Sequence, residues 1–197
     1  MREALAIQQK ILPAAHPDLA ISLNNLASLL KPTGRYAEAE PLLREALVIA
    51  GSAGVPEVLW NVQGNLSGFY ARQAQRPLAI FFGKQAVNTI QAVRQNLKSL
   101  EQSAQQAFLR SKESYYKDLA DLLIAEGRLP EAQQVLEMLK EQEYFDFLRR
   151  DSAADPRQTL ATLNPFETEQ AGRIEAVVAP LRLRYQEAET LRRIHAT

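Results

Sequence analysis

An all-helical stack of repeated helical hairpins is the fold this sequence predicts, and three observations predict it. The tetrapeptide Arg2-Glu3-Ala4-Leu5 returns as Arg44-Glu45-Ala46-Leu47, and Ile7 as Ile49, at an offset of 42 residues. Between the copies, apolar residues recur at intervals of three and four, the period of a helix with one buried face. Alanines at 27, 39, 46, 120 and 132 interrupt the large apolar residues. They stand where neighbouring helix axes must approach closely.

The elements follow in order. Residues 1–12 read as a partial helix that begins in mid-repeat. His16-Pro17-Asp18 opens the next helix, with Asp18 as the N-cap candidate. Leu19, Leu23, Leu26, Ala27 and Leu30 share one face of a helix over 18–31, which Lys31-Pro32-Thr33-Gly34 ends. A second helix over 36–50 buries Ala39, Leu42, Leu43, Ala46 and Leu47. Pro41 lies near its first turn, where a missing N–H costs least, so a tolerated kink is expected there. Gly51-Ser52-Ala53-Gly54-Val55-Pro56 reads as a loop.

Helices over 57–73 and 77–97 carry a degraded copy. Asn65-Leu66 matches Asn25-Leu26, and Lys84-Gln85-Ala86-Val87 matches Arg44-Glu45-Ala46-Leu47, both at offset 40. A clearer copy follows at offset 93, pairing Leu26-Ala27 with Leu119-Ala120, Gly34-Arg35 with Gly127-Arg128 and Glu38-Ala39 with Glu131-Ala132. Helices over 101–126 and 130–149 pack Phe108, Tyr115, Leu119, Leu123, Val135, Leu136 and Leu139, with Gly127 and Pro130 marking the turn. The domain plan is therefore a repeat stack over 1–150, a linker over 151–165 and a C-terminal helix over 166–197. The last helix spaces Ile174, Val177, Val178, Leu181, Tyr185, Ala188 and Leu191 as an apolar stripe, with Glu187, Glu189, Arg192 and Arg193 as a solvated face.

Composition narrows the function. Lys plus Arg and Asp plus Glu are both 23, so there is no net field to draw nucleic acid or an anionic membrane. Arg149, Arg150, Arg182, Arg184, Arg192 and Arg193 are interleaved with acids and read as solvated faces. With no cysteine in the chain, disulfides and thiolate chemistry are excluded. His16 and His195 lie far apart and show no metal-ligand spacing. No phosphate loop, catalytic triad or paired acid stands out. A non-enzyme without cofactor or metal is expected. Neither a signal-peptide pattern nor a bilayer-length apolar run is present, so a soluble, cytoplasmic location is expected too.

The spacing Leu23-x-x-Leu26-Ala27-x-x-Leu30, then Gly34-x-Tyr36, Ala39 and Leu43-x-x-Ala46, resembles a tetratricopeptide repeat. His16 through Leu47 is similar to the kinesin-light-chain type with its 42-residue unit. The resemblance implies a right-handed α-solenoid whose first helices line a concave, peptide-binding groove. Downstream, Ser103 to Leu109, Tyr115-Tyr116-Lys117-Asp118-Leu119-Ala120, Gly127 to Gln133 and Leu139 to Phe147 resemble the region upstream of a CHAT domain. That is a caspase-like peptidase module carried on many bacterial repeat proteins. It implies a chain that continues past Thr197 into such a domain. No catalytic residue carries over, because the cysteine has no counterpart here.

By alignment with that repeat, the groove positions are Asn24, Asn25, Ser28 and Lys31, followed by Gly64, Asn65, Gly68 and Arg72. Side-chain amides such as those of Asn25 and Asn65 can grip a peptide backbone with paired donors and acceptors, or they can bond neighbouring helices. Trp60 reads as packing between repeats. Tyr144, Phe145 and Phe147 cannot all lie on one helix face. They offer either a docking surface for a downstream domain or a local cluster against the last helix. The predicted function is a protein–protein interaction scaffold with a peptide or protein in its groove, regulating a downstream peptidase. The alternative is a self-association module with the groove empty.

Overall fold

A computed structural model describes residues 2–97, 102–145 and 160–195. All regular structure among them is helical. In chain order it comprises α1 (Arg2–Ile11), α2 (Pro17–Leu30), a short 3-10 turn (Lys31–Thr33), α3 (Tyr36–Ala53), α4 (Pro56–Arg72), α5 (Arg76–Asn96), α6 (Gln102–Arg110), α7 (Glu113–Ala125), α8 (Leu129–Phe145) and α9 (Pro165–His195). The chain divides into two compact units, one of residues 1–65 with 164–197 and the other of residues 66–163.

Three hairpin turns repeat one geometry. The N–H of Arg35 bonds the Leu30 carbonyl, that of Gln75 the Tyr70 carbonyl and that of Arg128 the Leu123 carbonyl, at 3.2, 2.9 and 2.9 Å. Each bond closes a helix through a residue in the left-handed region, which is Gly34 (φ 71°), Ala74 (φ 57°) and Gly127 (φ 69°) in turn. The next helix then opens with the same bond, Ala39 to Arg35, Ala79 to Gln75 and Ala132 to Arg128. The repeat legible in the sequence at Gly34 and Gly127 is thus present in the degraded copy as well, with alanine bearing a strained φ.

In the first unit, α2 and α3 form the central hairpin. Leu19, Leu23, Leu26 and Leu30 of α2 and Leu43 and Leu47 of α3 are buried, and Ala27, Ala39 and Ala46 are fully inaccessible. α2 starts one residue before the expected Asp18. Pro17 occupies its first turn, and His16 is the cap, extended at ψ 131° with its ring Nδ1 accepting from the Asp18 N–H at 3.2 Å. Proline forces the residue before it out of the helical region, which makes that residue the cap. α3 runs through Pro41 and also through Gly51, Ser52 and Ala53, which the sequence assigned to a loop; Gly54 at φ 67° stops it.

The last helix α9 packs along α3. It begins with a reciprocal capping box. Asn164 Oδ1 accepts from the Glu167 N–H at 2.9 Å, and a Glu167 carboxylate oxygen accepts from the Asn164 N–H at 2.8 Å. A Cβ at Gly51 would stand 3.0 Å from a Val178 methyl, so glycine sets the closeness of that crossing. Arg182 donates to the Gly51 carbonyl at 3.2 Å. Only part of the expected apolar stripe is covered. Val178 is 2% exposed, but Val177 is 53% and Leu191 57% exposed. The stripe is wider than the strip of helix that α3 alone can cover.

In the second unit, the single helix expected over 101–126 is two. α6 ends at Arg110 and α7 starts at Glu113, with the Ser111 hydroxyl donating to the Phe108 carbonyl at 2.6 Å across the break. A serine that bonds a nearby carbonyl competes with the helix there. Tyr116 is fully buried, rather than Tyr115, and Leu119, Leu123, Val135, Ala120 and Ala132 are buried too. Tyr70 stacks on Phe82 at 5.6 Å and meets Phe69 edge-on at 5.2 Å. Gly83 brings α5 against α7, where an added Cβ would lie 3.0 Å from Leu119. Of the expected linker over 151–165, residues 151–159 lie outside the described residues, 160–164 carry no regular structure and Pro165 already opens α9.

Candidate functional site

The expected groove residues of the first unit divide by role. Asn24 is 8% exposed, and its Oδ1 accepts from the Asn65 Nδ2 at 3.0 Å. The Asn65 Oδ1 in turn accepts from Lys31 Nζ at 2.9 Å. One carboxamide of α4 is therefore held from both ends by α2, through an amide at mid-helix and an ammonium at its end. The amide of Asn65 thus bonds a neighbouring helix, through Asn24. Asn25 itself is exposed. The separation of Asn24 and Asn65 is 41 residues, one more than the alignment supplies, and one residue turns a helix by roughly 100°. Ser28 donates its hydroxyl to the Asn24 carbonyl at 2.9 Å, so it bonds its own helix. Trp60 is 4% exposed, as core packing requires. Arg72 is exposed and belongs to the second unit.

Of the expected docking aromatics, Tyr144 and Phe145 stand on the last turn of α8, and Phe147 lies outside the described residues.

Two polar clusters of the second unit escaped the sequence reading. Lys84 was aligned with the exposed Arg44, yet it is 1% exposed. Its ammonium donates to Glu131 and to the Thr162 carbonyl, each at 2.5 Å. Arg128 grips the same carboxylate at 2.7 Å. Burial pushes the Glu131 carboxyl upward, but the bonds and charges of Arg128 and Lys84 outweigh it and hold the group below the usual carboxylate range. The other cluster joins Gln91, Arg94 and Tyr116. Gln91 Oε1 accepts from the Tyr116 hydroxyl and from Arg94, both at 3.3 Å, and Arg94 also donates to the Met138 carbonyl at 3.0 Å. Burial drives the Tyr116 hydroxyl far above its ordinary range against the opposing charge of Arg94, so it serves as a neutral donor. A signal for these clusters was present. Lys84, Asn88, Gln91 and Gln95 lie at i, i+4, i+7 and i+11, a polar stripe on a helix otherwise rich in Ala, Ile, Val and Phe. Such a stripe on an apolar helix marks buried polar partners.

A cleft of about 320 Å³ in the first unit is walled by Ser52, Gly54, Arg182, Tyr185 and Thr190. Its guanidinium is engaged by Gly51 and by Glu175 at 3.1 Å, so the cleft offers no acid–base pair of its own. Among the described residues no group of three or more His, Asp or Glu is arranged to hold a metal ion. None of the described helices is long and apolar enough to cross a membrane.

Helical hairpins with shared turns, packed through buried alanines, define a helical-repeat architecture. The sequence profile of the tetratricopeptide repeat matches residues 19–51, covering α2, the turn at Gly34 and most of α3. The chain thus carries a tetratricopeptide-type repeat, a kind of module that supports protein–protein interaction. No curated protein matches the chain.

Proposed function

We propose that this chain is a protein–protein interaction scaffold that holds a peptide along the face formed by Asn24, Asn25, Ser28, Lys31 and Asn65. The observation that carries the reading is the Lys31–Asn65–Asn24 chain of hydrogen bonds. It fixes the Asn65 carboxamide between two helices without filling all four of its hydrogen-bonding positions. A carboxamide pinned in this way is preorganised to add a bond to a peptide backbone, and preorganisation lowers the entropy cost of binding. Asn25, exposed one residue along α2, supplies a second amide. In an intact protein that continues into a caspase-like CHAT domain, as the resemblance of 103–147 implies, a peptide on this face would bias the peptidase between states of different activity.

The test begins with peptides selected from a random display library on the wild-type chain. They are expected to bind Asn65→Ala about ten-fold more weakly, the loss of one or two backbone bonds, while helix content is unchanged. Equal affinity for a folded Asn65→Ala variant would remove the reading.

The exposure of Val177, Leu183 and Leu191 on α9, at 53, 61 and 57%, favours a second reading, self-association through that helix. A concentration-dependent dimer of the wild type that Val177→Glu with Leu191→Glu abolishes would establish it. A monomer at all concentrations would dismiss it.

A further inference from the structure

The second unit already contains a stretch of irregular main chain held by side chains. Residues 160–163 have no regular structure, yet three consecutive carbonyl groups each meet a side-chain donor. Gln134 of α8 reaches the Leu160 carbonyl at 3.4 Å, Asn88 of α5 donates to the Ala161 carbonyl at 3.0 Å, and Lys84 donates to the Thr162 carbonyl at 2.5 Å. Asn88 also accepts the Ala161 N–H at 2.8 Å, so one carboxamide pairs with both backbone groups of one residue. Ala161 is 3% exposed, whereas Leu160 is 46% exposed.

An ordinary surface connection leaves such groups to water. Here the hydrogen bonds go to the main chain of the segment, and Ala161 is its one buried side chain. That is how a receptor reads an extended peptide: paired backbone bonds give affinity, and one tight position gives selectivity. Lys84 is 1% exposed, so beside Glu131 it has no water to turn to, and the Thr162 carbonyl supplies a second acceptor. We propose that the α5–α8 surface is a second peptide site, distinct from the Asn65 face, that takes an extended segment with a small residue at the position of Ala161. Residues 160–163 occupy it in cis, and a partner segment of that kind replaces them in trans. The tether makes the chain's own segment a competitor at high effective concentration, so exchange requires a partner at high concentration or a weakened strap.

The probe is a fluorescent peptide copying residues 160–165, added to the full chain. Ala161→Trp cannot seat its indole in a space that leaves alanine 3% exposed, so that chain vacates its own site. The Ala161→Trp chain, from which the tethered competitor has been removed, is expected to bind the peptide at least about ten-fold more tightly than the wild type does. Adding Asn88→Ala, which removes two backbone bonds, is expected to weaken that binding about ten- to thirty-fold. No binding to a folded Ala161→Trp chain, or binding indifferent to Asn88, would overturn the proposal. If Ala161→Trp loses helix content, the wild type provides the other arm. Millimolar peptide is then expected to speed hydrogen exchange at the Ala161 amide, and unchanged exchange would equally overturn it.

Discussion

Two clusters in this chain use the same residue types for different ends. In the first unit Lys31, Asn65 and Asn24 bond one another, side chain to side chain, across two helices. In the second, Lys84 and Asn88 turn the same ammonium and carboxamide onto the main chain of residues 161 and 162. The difference lies in burial. Lys31 is half-buried, but Lys84 is enclosed and must meet acceptors within the fold. The comparison teaches that the same ammonium and carboxamide serve side-chain partners where the lysine is half-buried and main-chain groups where it is enclosed.

Lys84→Ala should separate the two clusters most. Removing the enclosed ammonium leaves Glu131 and the Thr162 carbonyl short of a donor, and about 2–4 kcal/mol of stability should be lost in denaturant unfolding. Lys31→Ala, its counterpart, should cost less than about 1 kcal/mol, because water can replace a half-buried bond. Equal losses would dissolve the distinction. Next in size, Asn88→Ala should cost about 1–2 kcal/mol and release the Ala161 amide to faster hydrogen exchange, while Asn88→Asp keeps the acceptor and protects that amide better.

Acid should reach the second cluster selectively. Glu131 has its carboxyl held below the ordinary range, so its contribution is complete above the unfolded value, about 4.3, and is lost as pH falls through the folded one. Wild type should therefore destabilise below about pH 4.3, and Glu131→Gln should be less stable at neutral pH with a flatter acid limb, as thermal melts across that window would show. The smallest effect concerns the turn of the degraded repeat. Ala74 sits at φ 57°, where Gly34 and Gly127 hold the equivalent places. Ala74→Gly should raise stability by roughly 0.5–1 kcal/mol, whereas Gly34→Ala should lower it.

The sequence made the hairpins legible because their signals are local. Leu23, Leu26, Leu30 and the glycines of the turns state a period and a stop, and the alanines expected at helix contacts are buried at 27, 39, 46, 120 and 132. Asn65 stood out for the same reason, since it sits at a repeat position. Its bond to Asn24, 41 residues away rather than the 40 of the alignment, was not legible because repeats of unequal length do not share a helical register. Lys84 and Asn88 were missed because their ligands lie 78 and 73 residues away, in a segment whose own composition reads as a linker. The division after Asn65, inside a continuous α4, left no mark in the sequence at all.

Residue-resolved NMR of the side-chain amides tests the scaffold account most directly. As a library-selected peptide is titrated into the wild-type chain, the Nδ2 protons of Asn24, Asn25 and Asn65 should shift together and saturate with the binding curve. If those amides stay fixed while resonances of α9 move, the peptide sits elsewhere and the assigned face is wrong.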